Sequence, residues 1–251
     1  MKVFPLFDET LPKEICANGR VFPVKYEKIL RATSSIKIKE GFVLVRLSRY
    51  LIGRQRERTL EKFLDWAVKR LEKASVDDFI NPVYEDGGRV VTHNKIYEIN
   101  VYFTDRKNSR VVLEAGHLLM VYLPKALENS EKESRRLLKN LCEKTIVEDQ
   151  TAYLKEVIDE LNGLYFQEKF VSCRFKRVNG RFGSLSRKGN INIAFRLLFA
   201  PREVFRYVCV HELAHLKEFN HSKKFWQVVE SAMPDYKQHE KWLRHKGFLL
   251  G

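Results

Sequence analysis

Residues 208–226, VCVHELAHLKEFNHSKKFW, set polar groups inside an aliphatic run. Val208, Val210, Leu213, Ala214 and Leu216 surround His211, Glu212 and His215. A helix with this pattern buries its polar side chains, and a buried His-Glu-His set with nothing to compensate it is costly to desolvate. On a helix, His211 and His215 lie one turn apart and project the same way, so both imidazoles can reach one metal ion. Glu212 lies about 100° further round. It is close enough to act as general base on a water at the metal without being a ligand.

Catalytic zinc sites usually have three protein ligands and one open position. His221 is the natural third ligand, just past a helix predicted over about 202–219. The offsets of four and then six match H-E-x-x-H-x-x-G-x-x-H, with Glu218 where that pattern has glycine. The helix is therefore expected to run further before it bends, and Asn220 is the residue best able to adopt an unusual backbone angle. No fourth Cys or His stands at a spacing that would close a structural site. The expectation is about one Zn2+ per chain, held by His211, His215 and His221, with Glu212 as catalytic base. His239 and His245 read as surface residues of a last basic helix, His93 and His117 as loop residues, and Cys209 as core.

The four cysteines are widely separated, which argues against a cysteine zinc site and against a disulfide framework. The chain of 251 residues is 44% hydrophobic and 12% aromatic, as a globular protein of one or two domains is. Asp8, Glu9 and Glu14 stand where a signal peptide needs an apolar run. No stretch approaches the roughly eighteen apolar residues of a membrane span. The expectation is a soluble, cytoplasmic protein with no membrane partner. The formal charge of +14 favours a polyanionic partner, although a basic surface also serves solubility.

Along the chain, residues 36–47 alternate on both sides of Gly41 as a β-hairpin does. Leu60, Phe63, Leu64, Ala67, Val68 and Leu71 then form one apolar helical face. Asn81-Pro82 and Asp86-Gly87-Gly88 mark a loop before the strands of residues 96–124. The order strand, Gly turn, strand, helix occurs twice, near 26–74 and 96–146. An internal repeat would give this order, but a hairpin followed by a helix is also common. Ser130 and Glu133 fit a capping box for one long helix over about 131–162, which Asn162-Gly163 should stop. Residues 170–178 and 181–199 read as strands with turns at Asn179-Gly180 and 188–190, and Ser222 can cap a helix holding Phe225, Trp226 and Val229. These elements give an α+β fold. Residues 1–128 are expected to form an N-terminal hairpin and helix region, of two similar units if the repeat is real, and residues 129–251 the domain that carries the histidines.

Residues 180–247 contain H-E-L-A-H-L, N-H-S, F-W and P-D-Y, and they resemble the YgjP-like metal-dependent hydrolase family, related to SprT-like and WLM proteases. A looser likeness reaches back to about residue 26. The resemblance implies a zincin-like fold for residues 129–251 in which a strand around 190–198 lies beside the active helix, zinc on the three histidines, and Glu212 as base. The chain has Arg181-Phe182-Gly183-Ser184-Leu185 where the family usually has Arg-Trp-Gly-Ser-Cys, and Ala194-Phe195-Arg196-Leu197 where it often has Asn-Trp-Arg-Leu. Both changes from Trp to Phe keep an aromatic packing role.

The resemblance permits two substrates, a polypeptide for a metallopeptidase and a nucleotide for a zinc-dependent nucleoside triphosphate (UTP) pyrophosphatase, with the peptidase first. A third reading, of another class, is a nucleic-acid-binding module with a vestigial metal site, against which the intact His-His-His-Glu set counts. Residues 169–202 hold nine Lys and Arg and no Asp or Glu. This block is a candidate surface for a triphosphate or a nucleic-acid backbone, or simply a solvated basic face. Strand alternation prevents all nine from facing one ligand. Arg181, Lys188 and Arg196 are the substrate-binding candidates, and Tyr236 is a candidate oxyanion donor or a packed structural tyrosine.

Overall fold

The computed structural model describes residues 11–17, 20–39, 42–72, 82, 84–178 and 180–250. The Gly41 turn, and Asn81 and Asn179 of two predicted loops, lie outside these residues. The chain divides into two compact units, one of residues 1–81 with 245–251 and one of residues 82–244.

The first unit is a four-stranded sheet backed by a helix. Strands β1 (Glu14–Ala17), β2 (Arg20–Ile29), β3 (Ser35–Lys39) and β4 (Phe42–Ser48) take the order β1-β2-β4-β3. β3 and β4 are the predicted hairpin, and β4 also pairs parallel to β2. Helix α1 (Gly53–Glu72) buries Leu60, Ala67 and Leu71 against Val43, Val45 and Leu47, with Phe63, Leu64 and Val68 partly covered. This is the apolar face that its spacing predicts.

The second unit opens with the same plan. β5 (Arg89–Val91), β6 (Ile96–Thr104), β7 (Arg110–Glu114) and β8 (Leu118–Pro124) form a sheet of order β5-β6-β8-β7, again with only the central pair parallel. Leu119, Val121 and Leu123 occupy the buried face, as Val43, Val45 and Leu47 do in the first unit. Helix α2 (Glu131–Leu161) follows, as α1 follows β4. Asp149 of α2 accepts from the Tyr97 hydroxyl and pairs with Lys95, and Gln150 donates to the same hydroxyl at 2.6 Å. These bonds satisfy the one polar end of a fully buried tyrosine.

Ser130 is the N-cap residue of α2, but its hydroxyl points to the Glu133 carboxylate at 3.5 Å and makes no cap bond. Asn162-Gly163 does not stop the helix. The backbone continues as a π-helical turn over Asn162–Phe166 and ends at Gln167 with φ 54°. The Asn162 side chain bonds the backbone of Glu168 as donor and acceptor, which holds the turn closed.

The rest of this unit carries the histidines. β9 (Ser172–Lys176), β10 (Gly183–Leu185) and β11 (Asn190–Ala194) form a sheet of order β10-β11-β9, with β10 antiparallel and β9 parallel to β11. The predicted strand to residue 199 stops at Ala194, and Phe195–Phe199 wind into a 3₁₀ turn with all but Arg196 buried. Helix α3 (Arg202–Ala214), α4 (Lys223–Ala232) and α5 (Tyr236–Lys246) complete the chain. The architecture is α+β, with the histidine helix beside a small mixed sheet.

Phe205 of α3 is fully buried and packs on His93, Tyr153 and Phe175, which come from three other segments. Phe205→Ala should therefore lower stability by about 3–5 kcal/mol, measured by denaturant unfolding.

Candidate metal centre

Helix α3 ends at Ala214, earlier than the predicted 219, and His215 is its C-cap with φ −65°. Bonds from the N–H groups of Lys217 and Glu218 to the Ala214 carbonyl tighten the exit. Among the described residues the non-glycines with positive φ are Ala115 and Gln167, so Asn220 does not take the left-handed angle expected of it. The helix simply stops five residues sooner, and an ordinary turn then has room to bring His221 back without a glycine at position 218.

His211, His215 and His221 converge, with ring nitrogens all within 4.8 Å of one another and the Nε2 atoms of His211 and His221 3.0 Å apart. Phe225 is the floor beneath them, with its ring centroid 4.6–4.9 Å from each imidazole. It is placed by the first turn of α4, where the Ser222 hydroxyl accepts from the Phe225 N–H as predicted. His215 Nδ1 lies 3.2 Å from the Glu218 carbonyl. As donor there, it leaves Nε2 with a free lone pair and fixes the ring's orientation, as the outer nitrogen of a metal-ligating histidine does. Residue 218 thus contributes through its backbone oxygen.

Burial pulls the His211 imidazole down to about 3, helped by the two neighbouring rings, and burial also lowers His215. Neutral imidazoles are the form that ligates metals. Burial pushes the Glu212 carboxyl up to about 8, against the opposing pull of the Leu185 N–H and the Arg181 charge. Two buried atoms, His211 Nδ1 and Glu212 Oε2, have no hydrogen-bond partner among the described residues. A cation among the rings would offset the cost of burying these groups, and the three-nitrogen donor set suits a divalent metal with an open position.

Glu212 is held against the edge strand β10. Its carboxylate accepts from the Leu185 backbone N–H, and its side chain lies against Gly183. A Cβ at residue 183 would sit 2.3 Å from Glu212 Oε1 and 2.7 Å from Cγ and Cδ. Sequence reading missed the roles of Gly183 and Leu185. The signal was present, because a glycine inside a strand often marks close approach of another group.

The other candidates scatter. Arg181 lines a pocket of about 250 Å³ with Lys176, Ser184, Ser186 and Asn192, which Glu212 and the three histidines do not line, and its charge acts on the Glu212 carboxyl. Lys188 is exposed at the tip of the β10–β11 turn. Arg196 is on the 3₁₀ turn and not on the strand expected to border α3; its guanidinium lies over the Phe182 ring at 4.2 Å. Phe182 and Phe195 both keep aromatic contacts, the latter with Phe199. Tyr236 is buried, stacked on Trp226 with Tyr207 beyond. His239, expected on the surface, is buried against Tyr207 and pairs with Asp235. The α5 helix turns that face inward. His93 is half-buried, with Nε2 3.1 Å from the Tyr153 hydroxyl. Cys209 is core, as expected, and no disulfide forms among the described cysteines.

The family described as YgjP-like, metallopeptidase domain, matches residues 32–246. This chain belongs to the YgjP-like family. It is similar to the UTP pyrophosphatase of Escherichia coli (strain K12), with 44% identity over 64 residues. That stretch covers 26% of this chain and 37% of the relative, so the chain spans little more than a third of the curated relative it matches. Two solved structures are also similar. The metallopeptidase zymogen of Pyrococcus abyssi abylysin is 26% identical over 37% of this chain and 92% of its own, with a TM-score of 0.34. The metallopeptidase zymogen of Methanocaldococcus jannaschii jannalysin is 18% identical over 37% and 94%, with the same TM-score. The matched family is that of a metallopeptidase domain, and His211, His215 and His221 are placed so that they could hold a divalent metal. No helix among its described residues is long and apolar enough to cross a membrane.

Gly183→Ala should drive the Glu212 carboxylate from its seat while leaving the three histidines in place. Hydrolytic turnover should fall roughly 100-fold, the order expected for an ångström-scale misplacement, while metal content by elemental analysis stays at the wild-type level.

Proposed function

We propose that this chain is a zinc-dependent hydrolase that cleaves a phosphoanhydride bond of a nucleoside triphosphate. The observation that carries this reading is the charge of Arg181, which acts on the Glu212 carboxyl and stands with Lys176, Ser184, Ser186 and Asn192 around a pocket of about 250 Å³. Two cations with hydroxyl groups beside them suit phosphate oxygens. The 44% identity to a UTP pyrophosphatase over 64 residues supports the same substrate class.

His211, His215 and His221 would hold the zinc, which supplies a Lewis acid that polarises the scissile group. Glu212 takes the proton of the attacking water at Oε2, its oxygen without a protein partner. The Leu185 N–H and the surface of Gly183 fix the direction of that carboxylate. Arg181 and Lys176 orient the anionic substrate and balance charge on the leaving diphosphate.

A metallopeptidase is the second reading, favoured by the edge strand β10, whose outer side can pair with an extended peptide. Against it, β10 is three residues long and its Leu185 N–H is already bonded to Glu212.

Two experiments test the proposal. Glu212→Gln should keep about one zinc per chain and lose hydrolysis, whereas His221→Ala should lose most of the metal by elemental analysis. Near-wild-type turnover by Glu212→Gln would remove it as the base. The second is a parallel screen of the zinc-loaded protein on UTP and on an unfolded polypeptide, repeated with Arg181→Gln. Turnover of UTP with a KM about tenfold higher in the variant is expected from the loss of one charge-assisted contact. Cleavage of the polypeptide alone, unaffected by Arg181→Gln, would favour the peptidase.

A further inference from the structure

The two units are built on one sheet plan, so corresponding positions can be compared. The buried triplets Val43, Val45, Leu47 and Leu119, Val121, Leu123 align β4 with β8. Arg46 then corresponds to Tyr122. In the first unit Arg46 is opposite Glu27 on β2 and Ser35 on β3, and its guanidinium pairs with Glu27 at 2.7 Å. In the second unit Tyr122 is opposite Tyr102 on β6 and Arg110 on β7. The two rings stack with centroids 5.5 Å apart and 25° between planes, and the Arg110 guanidinium lies 4.7 Å from the Tyr122 centroid. The scaffold meets this row with an ordinary surface ion pair in one unit. In the other it presents two tyrosines and an arginine on the sheet face away from α2, with Tyr102 44% exposed.

The surroundings carry charge. The connection from β6 to β7 begins two residues beyond Tyr102 and ends at Arg110, and it contributes exposed Arg106 and Lys107. Asp105, the acidic group in it, pairs with Lys125. Glu98 and Glu114 lie at the opposite end of the strands. The aromatic row therefore sits at the cationic end of an open sheet. Flat rings beside basic groups are what single-stranded nucleic acid binds, with bases on the rings and phosphates on the cations. Base edges paired in a duplex cannot reach such a platform. We propose that the row Tyr102–Tyr122–Arg110 is a stacking platform for single-stranded nucleic acid, separate from the histidine site.

The first unit supplies the control. Exchanging the row for its counterpart, Tyr102→Glu with Tyr122→Arg, replaces the rings with an ion pair that the same sheet plan already accommodates. The full chain is titrated into a fluorescein-labelled oligouridylate of about twelve nucleotides, within the range of one such platform, and into a duplex of equal length, with anisotropy as the readout. The wild type should bind the single strand more tightly than the duplex. The exchanged variant should bind the single strand about tenfold or more weakly, the order expected for losing one stacked base, with thermal unfolding and metal content unchanged. Arg110→Gln should reduce the slope of log affinity against log salt by about 0.7. Should the exchanged variant misfold, Tyr102→Trp gives a second test, since its fluorescence should be quenched on oligouridylate binding. Equal binding by the exchanged variant, equal affinity for duplex and single strand, or no binding by the wild type would overturn the proposal and leave the row to sheet pairing or to a protein partner.

Discussion

The second unit is organised around the burial of one carboxylate. Glu212 sits on a helix that is buried along most of its length, Leu213 and Ala214 included, and it must keep its position almost without solvent. A buried carboxylate needs donors and a shaped space, or it takes up a proton and loses its value as a base. The edge strand β10 supplies one donor, the Leu185 N–H, and Gly183 supplies the space. β10 can come this close because β11 holds it from the other side in antiparallel register, Gly183 opposite Ile193 and Leu185 opposite Ile191. The small sheet positions a strand backbone against that carboxylate.

The imidazoles obey a related constraint. Burial, with a smaller push from the neighbouring rings, keeps His211 and His215 from taking up protons, which suits them to a cation. Their mutual geometry depends on Phe225, a fully buried side chain that touches all three. Phe225 in turn depends on the Ser222 cap, which starts α4 directly after the third histidine. Ligand placement and helix initiation are thus one local event, which explains how a bend with no glycine delivers His221.

The nine cations of residues 169–202 separate by task once the chain folds. Arg177 pairs with the buried Glu143 of α2, Arg174 donates to Asn192, and Arg196 lies on Phe182. Arg181 and Lys176 line the small pocket with Ser184, Ser186 and Asn192. A run of like charge in sequence becomes a mixture of structural pairs and a small cationic lining, because alternate strand residues face opposite ways and α2 passes on one side.

The local readings that needed only spacing were legible. The amphipathic face of α1, the hairpin of β3 and β4, the long α2, the Ser222 cap and the shared face of His211 and His215 all follow from periodicity and cap chemistry, which act over a few residues. What sequence could not decide was everything set by approach between distant segments. The stop at Ala214, the π-helical turn at Asn162, the end of β11 at Ala194 and the burial of His239 depend on what packs against each element. Neither the parallel pairing of β2 with β4 nor that of β6 with β8 has a signal in a hairpin pattern, because parallel partners meet only through a crossover. The make-up of the candidate site, a His-Glu-x-x-His set with a third histidine, was legible from residue type and spacing alone. The seat of its carboxylate was decided by tertiary structure, since only the approach of β10 to α3 makes the missing side chain of Gly183 matter.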